Sequence, residues 1–268
     1  MPDAGDLALL VDATRAAGEL AMRYFNTAQA VWDKSPGHPV CDADLALDAY
    51  LKDRLLGARS DYGWLSEETA DSRARLSCDR VWVVDPIDGT RDFIRGRSGW
   101  CVSVALVEAG RVVLGALAAP MCGELYVAVE GHGAQRNGVR LAVSGRQELA
   151  GCAIPIDPAN LIATWWPQPW DAVAAPKPNS IALRTAMVAT GEADAWLEGR
   201  TVNEWDMAAA TLILTEAGGQ ITDRAGAALR YNQREPHIRG VVAATPALHA
   251  ECLRRLDQGI AALATRRR

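Results

Sequence analysis

Nowhere in the 268 residues does an apolar run approach the roughly 18–20 residues of a membrane-spanning helix. The N-terminus carries Asp3 and Asp6 where a secretion signal would place Lys or Arg, so the chain reads as cytoplasmic with no membrane partner. Positive charge is also short. Twenty-eight Lys and Arg stand against 33 Asp and Glu, giving −5 and a pI near 5.5, and no overall field is available to hold a nucleic-acid polymer. The six cysteines include no C-x-x-C pair, which argues against structural zinc and a short disulfide framework and leaves buried reduced thiols. No two of the four histidines fall at helical spacing, so zinc chemistry loses further ground. Neither G-x-G-x-x-G nor G-x-x-x-x-G-K-[ST] occurs, and there is no internal repeat.

What is present is a globular composition, 49% hydrophobic and 23% charged, on a length that suits one large domain or two sub-domains sharing an interface. Residues 6–25 carry an apolar stripe at helical spacing (Leu7, Leu10, Val11, Ala17, Leu20, Ala21, Tyr24), and Leu47, Leu51 and Leu55 mark a second helix ending near Gly57. The Pro/Gly-punctuated stretch Lys34–Pro39 separates the two. Val81–Val84 reads as a buried strand, followed by strands at 101–107, 112–119 and 124–129 with turns at Gly110-Arg111 and Cys122-Gly123. Those short breaks predict an antiparallel meander in an α+β first half, 1–143. The second half, 144–268, alternates: helix 180–190, strand 193–197, helix 206–217, strand 238–244 and a final helix from about 246. Between 154 and 179 the chain is proline-rich and lacks periodicity, which reads as a long irregular loop or crossover, and Arg266–Arg268 reads as a solvated tail.

The most informative segment is Val83-Val84-Asp85-Pro86-Ile87-Asp88-Gly89-Thr90. It sets two carboxylates around a tight turn at the C-terminal end of a buried strand, where Pro86 fixes its own φ and Gly89 permits a conformation other residues resist. Two converging carboxylates repel unless a proton or cation joins them. With no His or Cys nearby, hard oxygen ligands favour Mg²⁺, with Mn²⁺ as a substitute. Asp-Pro and Asp-Gly are also common turn dipeptides. Two further acidic segments narrow the choice: Trp64-Leu65-Ser66-Glu67-Glu68 upstream and Glu204-Trp205-Asp206-Met207-Ala208-Ala209-Ala210 downstream. Alone, Glu67-Glu68 would be a solvated pair and Asp206 a helix cap.

Together these segments resemble the inositol monophosphatase family of Mg²⁺-dependent, lithium-sensitive phosphomonoesterases, and the resemblance covers nearly the whole chain. Asp85–Thr90 looks like the family's first signature. Trp205–Ala210 through Glu216-Ala217-Gly218-Gly219 looks like its second, and Ser66-Glu67-Glu68 stands where the family has Gly-Glu-Glu. The resemblance implies a layered α-β-α-β-α sandwich, a small phosphorylated metabolite as substrate, two or three bound ions, and room for a homodimer. It also implies that Glu67, Asp85 and the Ile87 carbonyl hold one metal while Asp85, Asp88 and Asp206 hold a second. Asp44, Glu67 and Thr90 would activate water, and Asp88, Gly89, Thr90 and Asp206 would face the substrate.

Family members divide among inositol monophosphates, histidinol phosphate, 3'-phosphoadenosine 5'-phosphate and sugar bisphosphates. Arg91-Asp92-Phe93 after Thr90, Asn203 before Trp205, and Arg184 resemble the bacterial 3'(2'),5'-bisphosphate nucleotidases, whose substrate carries a second phosphate that a cation such as Arg184 would hold. Against this, Trp100-Cys101-Val102-Ser103 is closer to the inositol branch. Arg91–Asp92 also reads as a surface pair. Trp165, Trp166 and Trp170 are candidates to stack a base, although loop tryptophans more often pack on their own domain. A non-catalytic regulator with the same fold is the alternative of another class, and the presence of every carboxylate named above weighs against it.

Overall fold

The computed structural model describes residues 4–35, 37–164 and 166–266. Pro36, Trp165 and the end of the arginine tail, Arg267-Arg268, lie outside the described residues, and so does the base-stacking expectation for Trp165. The first half runs α1 (Ala4–Tyr24), β1 (Val31–Ser35), β2 (His38–Cys41), α2 (Asp42–Ala58), β3 (Gly63–Ser66), β4 (Arg80–Asp88), α3 (Thr90–Ile94), β5 (Cys101–Glu108), β6 (Arg111–Ala119), β7 (Glu124–Val129), β8 (Gly133–Arg136) and β9 (Val139–Arg140). The second runs β10 (Cys152–Pro155), α4 (Pro158–Leu161), β11 (Ala172–Ala175), α5 (Ile181–Ala189), β12 (Ala195–Asn203), α6 (Glu204–Glu216), β13 (Gln220–Asp223), β14 (His237–Ala244) and α7 (Pro246–Arg266).

Strands β3 to β9 form one seven-stranded sheet in sequence order, antiparallel throughout except that β3 runs parallel to β4. The meander is therefore as the turns predict. Ala109 and Gly110 both sit at positive φ in the β5–β6 hairpin, the conformation that a two-residue turn needs to match the twist of its strands. Helices α1 and α2 cover one face through Leu10, Ala17, Leu47 and Leu51; α5 and α6 cover the other through Ala186, Met207, Ala209 and Ile213. Because both faces are buried, β5 and β6 are apolar along nearly their whole length instead of alternating.

Helix α6 explains the second layer. Met207 to Ala210 and Leu212 to Leu214 are buried all round the helix, as expected only of a helix enclosed on both sides. Beyond it lies the antiparallel sheet β12-β14-β13, and α7 covers the outer face of that sheet through Leu248, Cys252 and Leu256. The order is α-β-α-β-α. The 154–179 stretch is a crossover with short elements of its own, since β10 and β11 pair in parallel around α4. Strands β1 and β2 were not legible as such; Lys34 and Ser35 on one side of the Pro/Gly-punctuated stretch, and His38 and Pro39 on the other, prove to belong to their hairpin. Propensity also underestimated β4, which runs on through Pro86 to Asp88.

Candidate active site

The Asp85–Asp88 segment is the bulged end of β4 rather than a free turn: Asp85 pairs with Ser103 and Asp88 with Cys101, with a shift of register between them. Pro86 is tolerated there because β3 has already ended opposite Val84, so the missing N–H leaves no neighbour unpaired. The turn comes one residue later. Gly89 has φ +98°, and a Cβ there would meet the Gly99 carbonyl at 2.6 Å and the Ser180 amide at 2.9 Å, so only glycine fits.

Parallel pairing of Ser66 with Val84 carries Glu67 to the side of Asp85, with the Glu67 amide 3.3 Å from the Val84 carbonyl. The Ser66-Glu67-Glu68 turn is pinned by Asp48, whose two oxygens each accept a hydroxyl at 2.5 Å, from Ser66 and from Thr69. Serine in place of the family's glycine thus has its own buried partner. Asp206 arrives from the opposite layer. Gly115 of β6 lets the Ala209 backbone approach so closely that a Cβ would lie 2.9 Å from the Ala209 carbonyl, and this brings the start of α6 down onto β4 and β5. Glu67, Asp85 and Asp206 consequently each offer a carboxylate oxygen within 4.8 Å of the others.

Two of the carboxylates also begin helices. Asp206 accepts the Asn203 amide at 2.9 Å at the head of α6, and Asp44 accepts the Cys41 amide at 2.8 Å and its thiol at 2.9 Å at the head of α2. The cap reading of Asp206 therefore holds alongside its place in the cluster. Asp88 turns toward α5, where it accepts Ser180 Oγ at 2.5 Å, the Ala182 amide at 2.7 Å and the Ile181 amide at 3.3 Å. Thr90 Oγ1 lies 3.2 Å from Asp44 Oδ1 and 3.0 Å from the Ile87 carbonyl, and its single proton can serve only one of them at a time.

Burial, with the charges of Glu67, Asp88 and Asp206 added, pushes Asp85 well above the usual carboxylate range, and burial with Glu67 and Asp88 does the same to Asp206. Burial also raises Asp44 to about 6, against the Cys41 hydrogen bonds, and Asp88 to about 6, against those from Ser180 and Ala182. A cleft of about 470 Å³ opens over Glu67, Asp85, Asp88, Gly89, Thr90 and Asp206. Carboxylate oxygens that converge this closely, with no nitrogen or sulfur donor in the group, suit a hard divalent cation.

Several contributors escaped sequence reasoning. Lys34, at the tip of the β1–β2 hairpin, places Nζ 2.9 Å from Glu67 and 2.6 Å from Glu68. Burial would lower its pKa, but the two carboxylates outweigh this and raise it. Ser180 and Cys41 orient Asp88 and Asp44 from 92 and three residues away respectively. The helix-cap spacing of Cys41 and Asp44 was a readable signal; nothing in the spacing pointed to Lys34 or Ser180. The residues that resemble the nucleotidases all have local partners. Arg91 Nη2 donates to the Gly37 carbonyl, Asn203 caps α6 and pairs with His237 at 3.0 Å, and Arg184 donates to the carbonyls of Pro178 at 2.8 Å and Asn179 at 3.0 Å. Arg184 lines neighbouring cavities but not the carboxylate cleft. Trp170 is buried, edge-on to Trp166, and faces Arg255 of α7, which is the packing role.

Comparison with known proteins places this geometry. The model of the inositol monophosphatase family matches residues 6–261. The inositol-1-monophosphatase of Mesorhizobium japonicum is 34% identical over 237 residues, 82% of this chain and 86% of its own. The 3'(2'),5'-bisphosphate nucleotidase CysQ of Aggregatibacter actinomycetemcomitans is 31% identical, over 85% of this chain and 88% of its own. Among solved structures, an IMPase of Thermotoga maritima superposes with a TM-score of 0.80 at 28% identity, covering 95% of this chain and 97% of that one.

Proposed function

The chain belongs to the inositol monophosphatase family of Mg²⁺-dependent phosphomonoesterases, and we propose that it hydrolyses a small metabolite bearing two phosphates, with 3'-phosphoadenosine 5'-phosphate as the leading substrate. The single observation that carries the phosphatase chemistry is the convergence of Glu67, Asp85 and Asp206 within 4.8 Å, beside the Thr90–Asp44 pair. Glu67, Asp85 and the Ile87 carbonyl would hold one Mg²⁺, and Asp85, Asp88 and Asp206 a second. Bound there, the ions would lower the pKa of an attacking water and offset charge on the leaving oxygen.

The protein's own part is positional. Asp44, poised near 6 by burial, takes up proton density through the Thr90 hydroxyl, which can turn from the Ile87 carbonyl toward it. Glu67 flanks the same space and shares that task. Gly89 and Thr90 line the cleft and present backbone to phosphate oxygens, which allows an acidic protein to take an anionic substrate without a basic pocket. The bisphosphate reading is supported by the likeness of Arg91-Asp92-Phe93 and Asn203 to the bacterial nucleotidases and by the similarity to CysQ. Inositol-1-phosphate is the runner-up because the carboxylate cleft alone suffices for a monophosphate; histidinol phosphate and sugar bisphosphates follow. Lithium inhibition and a cytoplasmic site of action belong to the same proposal; among the described residues no helix is long and apolar enough to cross a membrane.

The test is phosphate release, with Mg²⁺ and with EDTA, from 3'-phosphoadenosine 5'-phosphate, inositol-1-phosphate, fructose-1,6-bisphosphate and histidinol phosphate. Mg²⁺-dependent release with the nucleotide favoured is the expected result. A preference for inositol-1-phosphate moves the assignment to the runner-up, and no release from any of them removes the phosphatase reading for this chain.

A further inference from the structure

A second cavity, of about 510 Å³, continues from the carboxylate cleft between β12, α7 and the β10–β11 crossover. The two are contiguous, because Arg91, Asn179, Glu198 and Arg200 line both. One end of the second cavity is apolar and stiff. Trp166 is fixed by donating Nε1 to the Asn160 carbonyl at 2.7 Å and by lying flush on Gly259 of α7, where a Cβ would come within 2.4 Å of the indole ring. Trp196, Leu256 and Leu263 continue that wall.

The other end is cationic, and its cations are not equivalent. Arg91 is taken up by the Gly37 carbonyl, Arg184 by two carbonyls, and Arg200 by a two-pronged pair with Glu198 at 3.1 and 2.9 Å. Lys177 makes no hydrogen bond or ion pair among the described residues. Burial, then Arg184, holds its pKa below the ordinary lysine value, against the opposing pull of the Asp157 and Glu198 carboxylates, and Arg200 adds to the lowering. An incoming anion would meet there an ammonium that no hydrogen bond or ion pair among the described residues takes up.

We propose that this cavity is the subsite for the part of the substrate that keeps its other phosphate, with Lys177 binding that anion and the Trp166–Leu263 wall taking a flat, weakly polar ring. The ligand class is a phosphomonoester on a nucleoside-like body with a second anionic group. The inference rests on the phosphatase reading and goes further in assigning the discriminating residues, none of which belongs to the carboxylate cluster.

Two variants and three substrates separate the parts of the proposal. Lys177→Ala is expected to raise KM for 3'-phosphoadenosine 5'-phosphate at least about tenfold more than for adenosine 3'-phosphate, which lacks the second anion. Leu263→Trp, on a partly exposed position of α7, narrows the cavity and is expected to raise KM for both nucleotides at least about fivefold more than for inositol-1-phosphate. Thermal melting of both variants checks that they fold. Equal effects of Lys177→Ala on the two nucleotides overturn the anion assignment, and equal effects of Leu263→Trp on nucleotides and inositol-1-phosphate overturn the ring subsite. Wild-type enzyme that cleaves inositol-1-phosphate but neither nucleotide overturns the whole inference while leaving the phosphatase reading standing. Failure on all three substrates removes both.

Discussion

Ser180 donates its hydroxyl to Asp88 at 2.5 Å and accepts the Leu183 amide at 2.9 Å, so one buried side chain both caps α5 and aims a carboxylate of the site. The two halves of the chain meet through this bond. Helix α5 is anchored where Asp88 emerges from the bulge of β4, and its register against the sheet is thereby tied to the cleft.

Ser180→Ala therefore carries two consequences. Loss of the cap and of a buried hydrogen bond is expected to cost about 1–2 kcal/mol of stability, read from urea denaturation. Because that hydrogen bond holds the Asp88 pKa down against burial, its removal is also expected to move the acid limb of the pH–rate profile upward. A stability loss with an unmoved acid limb would show that Ser180 is a cap only.

Asp85→Asn is expected to reduce Mg²⁺-dependent turnover at least about 1000-fold while circular dichroism stays unchanged, since the residue would serve both ions. In EDTA the same variant is expected to melt higher than wild type at pH 7. The buried charge it removes is unfavourable beside Glu67, Asp88 and Asp206. Near-normal turnover would remove Asp85 from the metal site.

Metal-free stability is expected to fall as pH rises through about 6. Folded Asp44 and Asp88 titrate at about 6, above the value near 3.9 of an unfolded aspartate. Over that interval the folded chain binds more protons than the unfolded one, so the stabilisation present at low pH is lost as the pH increases. Saturating Mg²⁺, which favours the ionised carboxylates, is expected to flatten or invert the slope. Melting temperatures measured from pH 4 to 7.5 with EDTA and with Mg²⁺ make the comparison; identical slopes would contradict it.

Arg184→Ala is expected to lower stability by about 1.5–3 kcal/mol through the lost carbonyl bonds of Pro178 and Asn179, and to change KM for 3'-phosphoadenosine 5'-phosphate and inositol-1-phosphate by similar factors. A loss confined to the nucleotide would return the distal-phosphate role to Arg184.

The local chemistry of Asp85–Thr90, Glu67 and Asp206 was legible in the sequence because each residue type sits in a pattern with few other uses: a carboxylate pair around Pro and Gly, an apolar step into acids, an acid heading a small-residue helix. The same holds for the amphipathic α1, for the meander with its Gly110 turn, and for the span of α6, since hydrophobic period and turn residues act over a few neighbours. What those patterns could not convey is which distant groups share a partner. Lys34 against Glu67, Ser180 against Asp88 and Arg184 against its own loop depend on side chains that meet across layers, where burial and hydrogen-bond geometry decide and no spacing rule applies. Sequence by itself determined the kind of chemistry, a set of hard oxygen donors. Tertiary structure alone decided how those donors converge, because that follows from the packing of α5 and α6 against the large sheet.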